Sequence, residues 1–361
     1  MRVTVISQVP PPVHGSTVMT ERLIGVLEEA GNDVDLVDRR FSSDVRQVGH
    51  FEFRKIGAAL NLARRLWQRT GRIRPNVAVF FATNRTFSFL VDVALSWILR
   101  RRGVPVITYL HTNGWEALSQ SSPVHRALVA YVLRTASTTV VLGESLRSDA
   151  ERGGARNVVV VPNAVPSAAR QLSSNERRYL CVFIGNLLPD KGYQDFLEVA
   201  ESVAAISPHA RFAMAGAPAW PGQLDEIRAW LADRGVRSVD VLGPIVPADR
   251  DRLLRDSSML VFPSTYALEA QPLAVIEAMA MGLPIIAYDN GGLRDLVVEG
   301  TNGFLVRPGD TEALREAVVS VASDGALQAR LSRGAVARFD SEHSIHAYGE
   351  AWQRILGLVA T

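Results

Sequence analysis

Two carboxylates eight positions apart, Glu269 and Glu277, stand in the stretch FPSTYALEAQPLAVIEAMAMGLPIIAYDNGGLRDLV, residues 262–297. It reads as a strand ending at Pro263, a short polar loop, and a helix rich in Ala, Leu, Ile and Met entered at about Pro272. A proline near the first helical turn is well placed, since its missing N–H would be unpaired there anyway. The amides of Leu273 and Ala274 would be free at that helix start, and a helix N-terminus favours a phosphate. Glu269 precedes this anion site and Glu277 follows it on the helix. A carboxylate beside bound phosphate is unfavourable unless it engages other groups, and sugar or ribose hydroxyls are good donors to it. The neighbours of Glu277, namely Val275, Ile276, Ala278, Met279 and Ala280, are all apolar, so its charge requires a partner.

The elements that must position these residues alternate short β-branched runs with longer helical patterns, the signature of βαβ units and parallel sheets. The first half offers strands at 2–7, 33–37, 76–81, 104–110, 138–142 and 157–162. The second restarts at 179–185 and continues through 211–216, 238–243, 258–263 and 283–288. A chain of 361 residues exceeds the roughly 250 to 300 that one core supports, so two domains are expected. The polar, proline-containing segment 162–175 is the linker candidate. The expected domains are therefore 1–165 and 176–340. The segment 341–361 is read as an amphipathic C-terminal helix, with Ile345, Tyr348, Trp352, Ile355 and Leu356 covering a core face and packing back towards the N-terminal domain. Two doubly wound sheets in series would face each other across a cleft, with ligands at the carboxyl ends of the strands.

The block Glu269-x7-Glu277, followed by EAMAMGLPIIA and the pair Gly291 and Gly292, closely resembles the retaining glycosyltransferases of family 4, which have the GT-B fold. Further matching stretches are PPPVHGS (10–16), TYLHTNG (108–114), VVVPNAV (159–165), FIGNLLPDKGY (183–193), AMAGAP (213–218) and EGTNGFLVRPGD (299–310). The resemblance extends over nearly the whole chain. It implies an α/β GT-B protein with an acceptor-binding N-terminal domain and a nucleotide-sugar-binding C-terminal domain. It implies retention of anomeric configuration, no obligatory metal and no cofactor beyond the nucleotide-diphosphate sugar. On the matching positions, Glu277 would accept ribose hydroxyls and Glu269 would contact the transferred sugar. The backbone of Ala270, Gln271, Pro272 and Leu273 would hold sugar and phosphate. Lys191, after the strand carrying Gly185 and Asn186, would neutralise the diphosphate leaving group. Many members of the family have arginine where this chain has Asn186, so either Asn186 serves as a neutral donor or a distant arginine compensates. Gly15 and Ser16, in a loop before a helix starting near Ser16, would let backbone approach the diphosphate. His111 would lie near the reacting sugar, and His14 reads as a structural hydrogen-bonding residue.

Other chemistries fit less well. PPVHGS is not GxGxxG, which disfavours a nicotinamide enzyme. The single Cys181 lies in YLCVFIG as a buried thiol, permits no intrachain disulfide and gives no Cys/His metal signature. No DxD is placed as a strand-end metal site, since Asp33/Asp35 and Asp249/Asp251 lie in other contexts. A GT-B epimerase, a phosphorylase and an inactive GT-B binding subunit are the alternatives. A phosphorylase needs a pyridoxal-bearing lysine, and the C-terminal half offers only Lys191.

Hydrophobic residues make up 47% and charged residues 21%, values of a globular protein. Residues 1–165 carry 21 Lys and Arg against 13 Asp and Glu, hence +8, and the remainder carries 18 against 24, hence −6. This asymmetry points to an anionic partner for the N-terminal half. In 51–75, Phe53, Ile56, Leu60, Ala63 and Trp67 form one helical face, while Arg54, Asn61, Arg64, Arg65, Gln68 and Arg69 form the other. That pattern suits a crossover helix with a solvated basic face, or a face meeting anionic lipid through Arg54, Arg64, Arg65 and Arg69, with Arg100, Arg101 and Arg102 adding to the patch. No aromatic residues interleave with these basic ones, so nucleic acid is not an expected partner. The N-terminus turns polar at Ser7, too soon for a signal peptide, and the apolar run 87–99 is short and carries Asp92. The expected location is the cytoplasm, at most at the inner membrane face.

Overall fold

Strand-forming runs and helical stretches alternate along the chain, and each strand pairs parallel to its neighbours. The computed structural model describes residues 1–11, 13–39, 53–167 and 177–360. Its first sheet contains β1 (Arg2–Ser7), β2 (Asp33–Asp38), β3 (Val77–Ala82), β4 (Val106–Leu110), β5 (Thr138–Val141) and β6 (Val158–Val160), in the order β2-β1-β3-β4-β5-β6. Its second contains β7 (Tyr179–Ile184), β8 (Phe212–Ala215), β9 (Val239–Gly243), β10 (Ser257–Phe262), β11 (Ile285–Tyr288) and β12 (Gly303–Val306), in the order β12-β11-β10-β7-β8-β9. Helices cover both faces of a parallel sheet, so a central strand such as β3 is buried at every residue and reads VAVFFA without alternation. The strand β12 is absent from the sequence reading, because four residues between turn-rich flanks carry too short a signal.

The chain forms two compact units. Unit 1 comprises Met1–Ala164 together with Ile345–Thr361, and unit 2 comprises Val165–Ser344. Of the expected linker, 168–175 lies outside the described residues. The last helix is Ile345–Ala360, four residues later than read from the sequence, because Phe339–His343 forms a π-helical turn in unit 2 instead. Tyr348, Trp352, Ile355 and Leu356 are buried in unit 1. Trp352 meets Tyr109 of β4 edge-on with centroids 5.1 Å apart.

The helix Phe53–Ile73 corrects the sequence reading. Among the described side chains Leu62, Leu66 and Thr70 are buried, while Ile56, Leu60 and Trp67 are exposed. The helix has two apolar stripes, and the shorter one, Leu62 and Leu66 at i,i+4, is the one the core takes. The other lies beside Trp97 of the neighbouring helix Thr86–Arg101, with ring centroids 6.4 Å apart. Asp92 in that second helix is fully buried and ion-paired to Arg39 at the end of β2. Its carboxylate also accepts from the Thr83 amide at 2.8 Å, tying the loop after β3 in place. Burial, only partly offset by Arg39, raises its pKa to about 6. Among the described residues no helix is long and apolar enough to cross a membrane.

Candidate functional site

The strand order of the second sheet reverses once. From β7 the chain steps outward through β8 and β9, then returns to lay β10 on the other side of β7. The helix after β7, Tyr193–Ile206, and the helix after β10, Leu273–Ala280, contribute to different core clusters on opposite faces of the sheet. The loops leaving β7 and β10 therefore part at the carboxyl ends of adjacent strands, the place where open α/β sheets take ligands. Gly185, Asn186 and Lys191 lie in the first of these loops, and Glu269, Ala270, Gln271 and Pro272 in the second.

Lys191 and Glu269 meet there. Lys191 Nζ stands 2.5 Å from Glu269 Oε2, and Ser264 Oγ donates to the same oxygen at 2.7 Å. The ammonium also lies 4.5 Å from the Tyr266 ring centroid. Glu269 is 5% exposed, and these partners compensate the burial of its carboxylate. Its second oxygen, Oε1, has no partner among the described residues. The cluster can therefore accept hydroxyl donors on one side of the carboxylate while the lysine supplies positive charge on the other.

Backbone packing sets this geometry. Gly192 has φ 78° and lies so close to β10 that a Cβ would fall 1.9 Å from the Pro263 carbonyl oxygen. That approach and the Thr265 amide bond to Asp190 O, 2.8 Å, join the Lys191 loop to the Glu269 loop. From the other side, a Cβ on Gly292 would lie 1.6 Å from Ala270 O, and one on Gly291 2.2 Å from Glu269 O. Asn290 Nδ2 donates to the carbonyls of Ser264 and Tyr266 at 3.1 and 3.0 Å. The sequence reading singled out the glycine pair without a role for it, and missed Ser264 and Asn290.

Pro272 is the N-cap of the helix Leu273–Ala280, one position earlier than a first-turn residue. The amides of Leu273 and Ala274 still precede the first intrahelical acceptor, and the helix start is only half-buried, open to an anion. Glu277 is buried one turn on, and its Oε1 meets Nη2 of Arg250 at 3.0 Å. This is the partner its apolar neighbours require. Arg250 comes from the helix Pro247–Arg255 and belongs to no motif. Asn186 is exposed.

Gly15, Ser16 and His111 lie in unit 1. The first sheet reverses its order between β1 and β3. The loop after β1 carries His14 before the helix Gly15–Glu29, and His111 follows β4. Ser16 Oγ bonds His14 Nδ1 at 3.1 Å. His111 is stacked on Phe81, 4.9 Å between centroids with planes 9° apart, and touches Tyr109 edge-on. Its ring is half-buried, but Nε2 is enclosed and has no hydrogen-bond partner among the described residues. Burial, with His14 adding to it, lowers its pKa to about 3, so the imidazole is neutral at pH 7. His14 is also lowered, by burial first and then by Arg85. Among the described residues no three His, Cys, Asp or Glu side chains are grouped to hold a metal ion.

The family described as "Glycosyl transferases group 1" matches residues 165–338, and "Glycosyltransferase Family 4" matches residues 13–168. The chain is similar to alpha-D-kanosaminyltransferase of Streptomyces kanamyceticus, 23% identical over 69% of each chain. It is 26% identical to glycogen synthase of Mycobacterium tuberculosis over 66% of this chain and 59% of that one. In three dimensions it resembles sucrose-phosphate synthase of Thermosynechococcus elongatus, with TM-score 0.81, 17% identity and 99% of each chain covered. The UDP complex of Anabaena HepE matches with TM-score 0.74 and 17% identity, over 99% of this chain and 100% of that one.

Proposed function

For a chain that belongs to the glycosyltransferases of group 1 and family 4, we propose a retaining, metal-independent transfer of a hexose-type sugar from a nucleotide-diphosphate donor, held by unit 2. The acceptor, a glycan, a lipid-linked sugar or a small molecule, engages unit 1, and the process served is cell-envelope or polysaccharide biosynthesis in the cytoplasm. The observation that carries the proposal is the Lys191–Glu269–Ser264 cluster, placed by the β7/β10 reversal beside an open helix start.

The chemistry follows from charge. Diphosphate oxygens approach the Leu273 and Ala274 amides and draw the Lys191 ammonium towards them. The Glu269 carboxylate then accepts hydroxyls of the transferred sugar, while Glu277 accepts those of the ribose. When the bond from the anomeric carbon to the diphosphate oxygen breaks, positive charge builds on the sugar and negative charge on the leaving group. Lys191 and the helix amides stabilise the second of these. The acceptor hydroxyl attacks from the face the diphosphate left and passes its proton to a diphosphate oxygen, which retains the anomeric configuration. Neutral His111 takes part as a hydrogen-bonding group of unit 1. No cofactor besides the donor is needed.

Thermal unfolding with UDP-, GDP-, ADP- and TDP-sugars tests the donor reading. The UDP complexes of HepE make UDP-glucose the first arm. One base class at 100 times its dissociation constant adds about 2.7 kcal/mol, a rise of roughly 5–10 °C for a unit of this size. No shift with any donor, together with no release of nucleotide diphosphate, overturns the proposal. Binding without turnover indicates an inactive binding subunit, and interconversion of the donor sugar indicates an epimerase.

A membrane-facing role for unit 1 rests less on Arg54, Arg64, Arg65 and Arg69 than on Arg101 and Arg102, which the sequence reading added to that patch, and on two tryptophans beside them. Arg69 bonds Asp35 and the Leu36 carbonyl, Arg65 reaches the Asp38 carbonyl, and the Arg54 side chain lies outside the described residues. Arg64 remains on the exposed side. The half-exposed Trp67 and Trp97 stack together with Arg102 Cζ 3.8 Å from the Trp67 ring and Arg101 Cζ 5.6 Å from the Trp97 ring. Leu60 and Leu90, on the same two helices, are also exposed. Aromatic rings flanked by cations suit the interface of an anionic bilayer. In flotation with phosphatidylserine-containing liposomes at low salt, Trp67→Ser/Trp97→Ser is expected to lose most of the bound fraction. Equal partitioning of variant and wild type rejects this surface.

A further inference from the structure

Arg250 lies in the helix that joins β9 to β10, and nothing in the motifs of this chain marks it. Its side chain is 32% exposed. Its Nη2 is 3.0 Å from Glu277 Oε1, yet its Nε–H is buried with no hydrogen-bond partner among the described residues. Nε and Nη2 point the same way, as the two parallel donors that a guanidinium offers to a pair of oxygens. Nη2 is in ion-pair contact with Glu277 without a hydrogen bond of good geometry, and the adjacent Nε has no partner among the described residues. A buried N–H without a partner costs about 1–3 kcal/mol, so such positions are filled by protein, water or ligand.

We propose that the oxygen missing from Arg250 Nε is a ribose hydroxyl of the nucleotide, making Arg250 a positioning residue of the donor site that also contacts the donor. Nη2 holds the Glu277 carboxylate in one orientation, and Nε–H donates to a ribose oxygen whose own O–H is donated to Glu277. The hydroxyl is thereby used both as acceptor and as donor, and a deoxyribose lacks the atom that satisfies both groups. The ligand class is a nucleoside diphosphate with an intact ribose diol, whatever its base. The inference rests on the donor reading given above, in which Glu277 accepts the ribose hydroxyls.

Dissociation constants are to be measured by calorimetry for the nucleoside diphosphate that stabilises the protein most, and for its 2′-deoxy and 3′-deoxy forms. They are compared for wild type, Arg250→Lys and Arg250→Ala. Wild type is expected to bind one of the deoxy forms about 10- to 100-fold more weakly than the ribonucleotide. In Arg250→Ala the ribonucleotide should weaken about tenfold or more, and the preference for ribose over deoxyribose should fall to within about threefold. Arg250→Lys keeps a cation beside Glu277 but has no second parallel donor, so it should melt near wild type and still lose most of the preference. In turnover assays both variants should raise the donor KM while kcat stays within about threefold, because the contact is remote from the breaking bond. A wild-type ribose-to-deoxyribose ratio in both variants overturns the inference and leaves Nε to a water. Wild type that binds none of the nucleotides overturns the donor reading itself, and this inference with it.

Discussion

Glu269→Ala is expected to lower sugar transfer by about 10³-fold or more while leaving the protein folded. The carboxylate has one oxygen committed to Lys191 and Ser264 and one without a partner among the described residues, an arrangement that suits a group accepting hydroxyl donors. Removing it takes away the proposed sugar contact and also the anion paired with the lysine. The stability cost stays small because Lys191 is on a surface loop with its side chain 17% exposed, and a long stem lets the ammonium turn to water. A fall in melting temperature of a few degrees is the expected size, against near-complete loss of turnover with the donor that stabilises wild type. Full turnover by this variant removes Glu269 from the reaction.

Gly292→Ala should be nearly as damaging for a different reason. The added methyl would lie 1.6 Å from the Ala270 carbonyl oxygen, backbone that cannot rotate away, so the loop bearing Glu269 has to move. A shift of about 1 Å in a positioning element costs about 100-fold in rate. The displaced packing costs roughly 1–3 kcal/mol, a drop of about 2–12 °C in melting temperature for a unit of this size. Gly325→Ala is the control, since it sits at a helix start in the same unit with nothing within 4 Å of the added atom. Matching activity and melting curves for the two variants would show that the Gly291–Gly292 contact does not hold the site.

The candidate site was legible where it is local. Residues 262–277 hold a strand end, a loop, a helix start and two carboxylates in one continuous stretch, and simple rules for helix termini and buried charge read them without a fold. The need of Glu277 for a partner was legible in the same way, but the partner was not. Arg250 is one arginine among several in PADRDRLLRD, and only the packing of the helix Pro247–Arg255 selects it. Asn290 was missed for a similar reason, since its bonds go to carbonyls brought near by the neighbouring parallel strand, and sequence spacing does not encode such proximity. Ser264 lies only five positions from Glu269, but which way the intervening loop turns back is set by its packing and not by spacing.

The helix Phe53–Ile73 shows the limit of periodicity. Both of its stripes are apolar, and periodicity alone cannot tell which one meets the core. The choice went to Leu62 and Leu66, and it left Trp67 to stack with Trp97 on the outside.

Alternation of strand and helix by itself determined a doubly wound α/β chain, because each element's pattern of burial is a local property of its own residues. The order of the strands is not local. Nothing in the residues of β10 states that it returns beside β7, and that return brings Lys191 to Glu269 across 78 positions of chain. Tertiary structure decided the pairing of charges, since electrostatic and hydrogen-bonding partners are chosen by distance in space, while the sequence decides only which groups are present to be paired.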